Sequence, residues 1–104
     1  MDTLTRLEQV IKDRRAASPD ASYVARLSSQ GIKVIARKLG EEAAEAVVAA
    51  LAGDEGELVG EAADVLFHLL VLLAERDIPL ATVLAELERR EGTSGLAEKA
   101  ARGT

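Results

Sequence analysis

The chain has 104 residues, 48% hydrophobic and 30% charged, with 18 acidic against 13 basic side chains and a formal charge of −5. That length suits one small domain, and the acidic balance argues against a nucleic-acid backbone or an anionic membrane as the main partner. With no cysteine, disulfides and thiolate metal sites are excluded, and a reducing compartment is the matching expectation.

Only 2% of the residues are aromatic, Tyr23 and Phe67, so the core has to be built from Leu, Val, Ile and Ala. Ala and Leu favour helix, and the enrichment typical of a sheet protein is missing. The expected fold class is all-α. Leu4, Leu7, Val10 and Ile11 recur at helical spacing, which predicts an amphipathic helix over about residues 2–15. Its opening stretch, MDTLTRLEQV, lacks the apolar core of a signal segment. AASPDAS breaks the pattern, because Pro19 disfavours helix at the residue before it. Ser22 can cap a short helix, SYVARLSSQ, that stops at Gly31.

From Ile32 to about Ala52 the pattern is one long helix, with Gly40 inside it at a cost of about 1 kcal/mol relative to Ala. Gly53 signals a stop. Asp54, followed three residues later by Glu57, reads as a capping-box variant that starts a second long helix running to about Arg76. Its run from Val65 to Leu73 is apolar on every side except at His68, so several neighbours are expected to cover it. The longest apolar run, Val65 to Ala74, is too short to span a bilayer. The expected location is the cytoplasm. Ile78 and Pro79 introduce a last helix, PLATVLAELERRE, and residues 92–104 are expected to form a mobile tail behind a single domain over 1–91.

The short connection at Gly53 and Asp54 makes the two long helices antiparallel neighbours, a hairpin on which the bundle is built. Glu42 and Glu45 share one face of the first arm; Glu61 and Asp64 share one face of the second with His68. Counted from the turn, Glu45 and Glu61 both lie roughly 12 Å away and Glu42 and Asp64 roughly 16 Å. Given a suitable helix rotation, folding the hairpin therefore brings four carboxylates to one level. A solvated acidic face usually pairs its acids with bases at i+3 or i+4, as Arg37–Glu41 and Lys38–Glu42 can. Glu45, Glu61 and Asp64 have no Lys or Arg at those offsets. Carboxylates gathered without bases repel, and a divalent cation removes the conflict.

Four hard oxygen ligands favour Mg²⁺, or Mn²⁺, over zinc. Di-iron bundles need Glu-x-x-His pairs, and none is present. His68, four residues after Asp64, is either a satisfied core residue or a contact of the site. Mg²⁺ held by carboxylates commonly takes further ligands from substrate phosphates, which points to polyphosphate chemistry. Since no Gly-rich phosphate loop occurs, metal and basic side chains would have to hold the anion.

Glu42-x-x-Glu45, a fifteen-residue spacer and Glu61-x-x-Asp64 resemble the metal signature of the all-α nucleoside triphosphate pyrophosphatases of the MazG type. With SYVARL (22–27), RKLGEEAAEAVVAA (37–50) and ELVGEAADVLFHLLVLLAERDIPLATVLAELERR (57–90), nearly the whole chain resembles the phosphoribosyl-ATP pyrophosphatase family. The resemblance implies Mg²⁺-dependent hydrolysis of phosphoribosyl-ATP, a small nucleotide, to phosphoribosyl-AMP and pyrophosphate in histidine biosynthesis. It also implies a homodimer or higher homo-oligomer that completes core and site.

By position, the resemblance makes Glu42, Glu45, Glu61 and Asp64 metal ligands. Glu41 is then a residue that binds metal through water or orients the attacking water, and Glu45 is a second candidate for the proton. Lys38, Arg26 and Lys33 are candidates for the phosphates, with a surface ion pair as the plain alternative for each. Tyr23 packs either at the entrance or in the core. Two rival functions remain: a housecleaning pyrophosphatase of the same fold acting on other nucleoside triphosphates, told apart by a substrate panel, and a non-catalytic helical dimerisation module.

Overall fold

Six helices follow one another in the computed structural model, which describes residues 2–103. They are α1 (Thr3–Arg14), α2 (Tyr23–Gln30), α3 (Ile32–Ala52), α4 (Glu55–Glu75), α5 (Leu80–Arg90) and α6 (Gly95–Arg102). No strand occurs among the described residues, so the fold is all-α, as the composition implies. Short polar side chains set four of the starts. Asp2 accepts from the Thr5 N–H at 2.8 Å, Ser22 from Ala25 at 3.2 Å, Asp54 from Glu57 at 2.8 Å and Ser94 from Ala97 at 3.1 Å. Each satisfies a donor that a helix start leaves free. Between α2 and α3 stands only Gly31, at φ +91°, a backbone position that a side chain would strain.

α3 and α4, 21 residues each, make the hairpin. A Cβ at Gly53 would run into the Ala49 backbone and the Glu57 carboxylate, so the turn closes tightly because position 53 has no side chain. α1 packs on α4 and α2 on α3, burying Ile11, Val24, Leu27, Ile35, Leu70 and Val71 in one core. That core occupies the base of the hairpin, where α3 begins and α4 ends. A polar clamp closes it. Arg15 donates to the Ala74 carbonyl at 2.9 Å and pairs with Glu75 at 3.2 Å, and Ser28 donates to the same Glu75 oxygen at 3.2 Å. A cation there meets a carbonyl of the last turn, which also accepts the Asp77 N–H at 3.1 Å, and the negative end of the α4 dipole. Glu8 of α1 accepts the Leu80 N–H at 2.7 Å, supplying from a distance the cap that Pro79 cannot.

Toward the tip the hairpin is bare. Val47, Val48, Leu51 and Val59 are 58, 63, 84 and 63% exposed. The run Val65 to Leu73, expected to be covered all round, is covered on one side only: Leu70 and Val71 are buried while Leu66 is 45% exposed. The reason is positional, since α1 and α2 reach the base of the hairpin and, among the described residues, no helix covers the exposed side chains of the other flank. The chain exposes 7028 Å², against about 5600 Å² for a folded monomer of its mass. Its radius of gyration is 15.7 Å, against about 13 Å for a compact domain of this length.

Residues 92–103 do not simply trail. α6 docks there through Glu98, only 6% exposed, which pairs with Arg89 at 2.7 Å, Arg102 at 3.7 Å and Arg90 at 3.9 Å. The expected tail therefore holds a helix. Its order is tertiary, because eight residues are too few to hold a helix by propensity. Thr104 lies outside the described residues. No described helix is long and apolar enough to cross a membrane.

Candidate active site

Glu42 and Glu45 stand one turn apart on α3, Glu61 and Asp64 one turn apart on α4, and the tight turn sets the pairs level. Carboxylate oxygens of Glu42, Glu45 and Glu61 lie within 4.8 Å of one another. Asp64 stays outside this circle and is exposed. Its charge still reaches Glu42 and Glu61. Desolvation holds the Glu61 carboxyl above the usual carboxylate range, and the neighbouring acids, Glu45 first, push it the same way. Desolvation and then Glu45 raise Glu42 too, against a downward pull from His68. None of the ion pairs found among the described residues involves these four acids.

Glu61, a member of the circle, has one oxygen, Oε2, buried with no hydrogen-bond partner. Leaving a buried acceptor unsatisfied is costly, and here its neighbours are other acceptors of the same charge. A hard divalent cation fits that gap: the donors are all carboxylate oxygens, gathered at one point, with no imidazole or thiolate among them.

The other residues singled out from the sequence are placed less centrally. Glu41 is exposed and outside the circle, with one oxygen 3.6 Å from Arg37 and the other 3.6 Å from Lys38. Lys38 thus reaches Glu41 rather than Glu42. Arg26 on α2 and Lys33 on the first turn of α3 are exposed. Lys33 precedes Glu42 by nine residues, about 13 Å of helix, so within one chain it stands apart from the acids.

Two features were not legible beforehand. A groove of about 660 Å³ opens between the arms toward the tip, lined by Ala44, Val48, Ala52 and Gly60 as well as Glu45, Glu61 and Asp64. The small residues at i, i+4 spacing were its only signal. Second, Tyr23 is 45% exposed while its hydroxyl reaches the buried His68 at 3.1 Å.

Over residues 4–91 the sequence matches the phosphoribosyl-ATP pyrophosphohydrolase family. Among relatives named phosphoribosyl-ATP pyrophosphatase, that of Rhizorhabdus wittichii is 66% identical over 100 residues, 96% of this chain and 94% of its own. That of Novosphingobium aromaticivorans is 62% identical over 101 residues, 97% of this chain and 94% of its own. The one from Erythrobacter litoralis is 62% identical over 103 residues, 99% of both chains. The chain belongs to this family. As a member of the phosphoribosyl-ATP pyrophosphohydrolases it is a hydrolase of an acid anhydride, and the reading as a non-catalytic module is set aside. The family match ends at residue 91, ahead of α6.

Proposed function

We propose that the chain hydrolyses the α–β anhydride of phosphoribosyl-ATP to phosphoribosyl-AMP and pyrophosphate, a step of histidine biosynthesis carried out in the cytoplasm. The observation that carries this reading is the circle of Glu42, Glu45 and Glu61 with its partnerless buried oxygen, in a chain of this family. Those three residues, with Asp64 beside them, would hold Mg²⁺ or Mn²⁺. Such an ion neutralises charge on phosphate oxygens and lowers the pKa of a bound water.

The chain's own groups divide the remaining work. Glu45, exposed on the circle, would take the water's proton. Glu41 then orients that water from one residue before the ligands. The Lys38–Glu41 pair is exposed and 3.6 Å long, a contact worth little, so Lys38 is free to turn to a phosphate. Arg26 and Lys33 would meet outlying phosphates, on the same chain or across an interface. The bare apolar flank and the excess surface support a homodimer or higher homo-oligomer.

The test is pyrophosphate release from phosphoribosyl-ATP beside a panel of deoxynucleoside triphosphates, with Mg²⁺, Mn²⁺ or a chelator. We expect phosphoribosyl-ATP to be preferred and the chelator to abolish turnover. A preference for the deoxynucleotides would replace the substrate assignment with the housecleaning reading. Turnover that survives the chelator would remove the metal.

A further inference from the structure

His68 is the chain's one histidine and is 5% exposed. Its Nδ1 lies 2.8 Å from the Asp64 carbonyl, which can only accept, so Nδ1–H donates to it. In the neutral ring Nε2 is then an acceptor, and the Tyr23 hydroxyl 3.1 Å away donates to it. Both ring nitrogens are satisfied, one from α4 itself and one from α2. The imidazole leans back toward the start of α4, as helical side chains do. That puts it against the Asp64 backbone, one turn earlier on α4. Phe67 stands edge-on to the imidazole at 5.1 Å and stacks near Tyr23 at 6.1 Å, so the three rings lock one another.

A leucine at position 68 would fill an apolar helix as well. What a fully satisfied buried polar group adds is a single geometry. The place needs one, because the acids just above repel and push α3 and α4 apart. α2 packs on α3, and its Tyr23 reaches across to α4. We infer that the chain from the Tyr23 hydroxyl through His68 to the Asp64 carbonyl is a strap that holds α4 in register with α3 at the floor of the carboxylate circle. Tyr23 and His68 are thus positioning residues for the bound cation, through the helices that carry its ligands. The inference rests on the reading of Glu42, Glu45 and Glu61 as those ligands.

The test is titration of the full chain with Mn²⁺, followed by the EPR signal of the free ion, with melting temperatures measured in parallel. Tyr23→Phe keeps the ring and removes the hydroxyl; His68→Asn keeps a donor for the carbonyl and loses Tyr23. Each is expected to weaken Mn²⁺ binding about tenfold, and the double variant by no more than the worse single one, since either change cuts the same strap. Ile11→Val, in the core but off the strap, should lower the melting temperature and leave Mn²⁺ affinity unchanged. Wild-type affinity in Tyr23→Phe, with Glu61→Gln clearly weakened, would overturn the strap alone. Wild-type affinity in Glu61→Gln would overturn the ligand assignment and the strap with it. If His68→Asn does not fold, Tyr23→Phe decides by itself.

Discussion

The base and the tip of the α3–α4 hairpin are built from the same residue types and sit in opposite surroundings. At the base Ile35 and Val71 are 0 and 1% exposed under α1 and α2; at the tip Leu51 and Val59 are 84 and 63% exposed. Hydrophobicity along a helix says that a face seeks cover; it does not say what covers it. The carboxylate circle lies at the seam between these regions. Its floor is the packed, hydrogen-bonded base with His68, and its open side is the groove toward the tip. The packed half holds the helices that carry the carboxylates, and the uncovered half leaves room for a substrate or a second chain.

Ile35→Ala should test the base most severely. A void at a fully buried site costs about 2–5 kcal/mol, read as a lower denaturant midpoint, whereas Leu51→Ala at the tip should change the stability of the isolated chain by no more than about 0.5 kcal/mol. Equal losses would mean that the tip is covered within one chain. At the seam, Glu61→Gln should cut turnover at least about a hundredfold, beyond what a supporting residue usually costs. The same variant should melt no lower without metal, since it removes one charge from a repelling group. Retained turnover in a folded variant would refute the assigned site.

Leu51→Asp addresses the tip directly. If a second copy covers it, each copy loses the burial of a leucine, about 1.5–3 kcal/mol, and light scattering should show dissociation at micromolar concentration. A wild-type chain that is already monomeric would sink the homo-oligomer. The smallest effect expected is on pH dependence, and it has two signs. Glu42 and Glu61 are raised in the fold, so their contribution to metal-free stability is full below the ordinary value of 4.5 and is lost as pH rises through the raised one. Glu86, held at about 2 chiefly by hydrogen bonds from Arg89 and then Arg90, contributes above 4.5 and loses that as pH falls toward 2. Mn²⁺ should reverse the first trend, because its ligands must be deprotonated. Thermal melts across pH, with and without the ion, would separate the two.

Most of the helical plan was legible because it is local. Caps at Ser22 and Asp54, breaks at Pro19, Gly31 and Gly53, and 3.6-residue periodicity place the ends of α1 to α5 within about two residues. The level carboxylates were legible for the same reason: once a helix, a short turn and a helix are given, their height follows from the rise per residue. α6 was not, since its hold on the chain comes from Glu98 meeting arginines of α5. Lys38 turned to Glu41 instead of Glu42, a choice between offsets of three and four that the spacing leaves equal.

The sequence alone thus determined α1 to α5, the hairpin and the family, because each depends on neighbours a few residues apart or on the order of residue types. The tertiary structure decided which three of four acids close into a circle and which oxygen is left without a partner. It also decided that Tyr23 reaches His68 and that half the hairpin stays bare. Those depend on helix rotation and on which surfaces meet, and both are settled by packing between residues far apart in the chain.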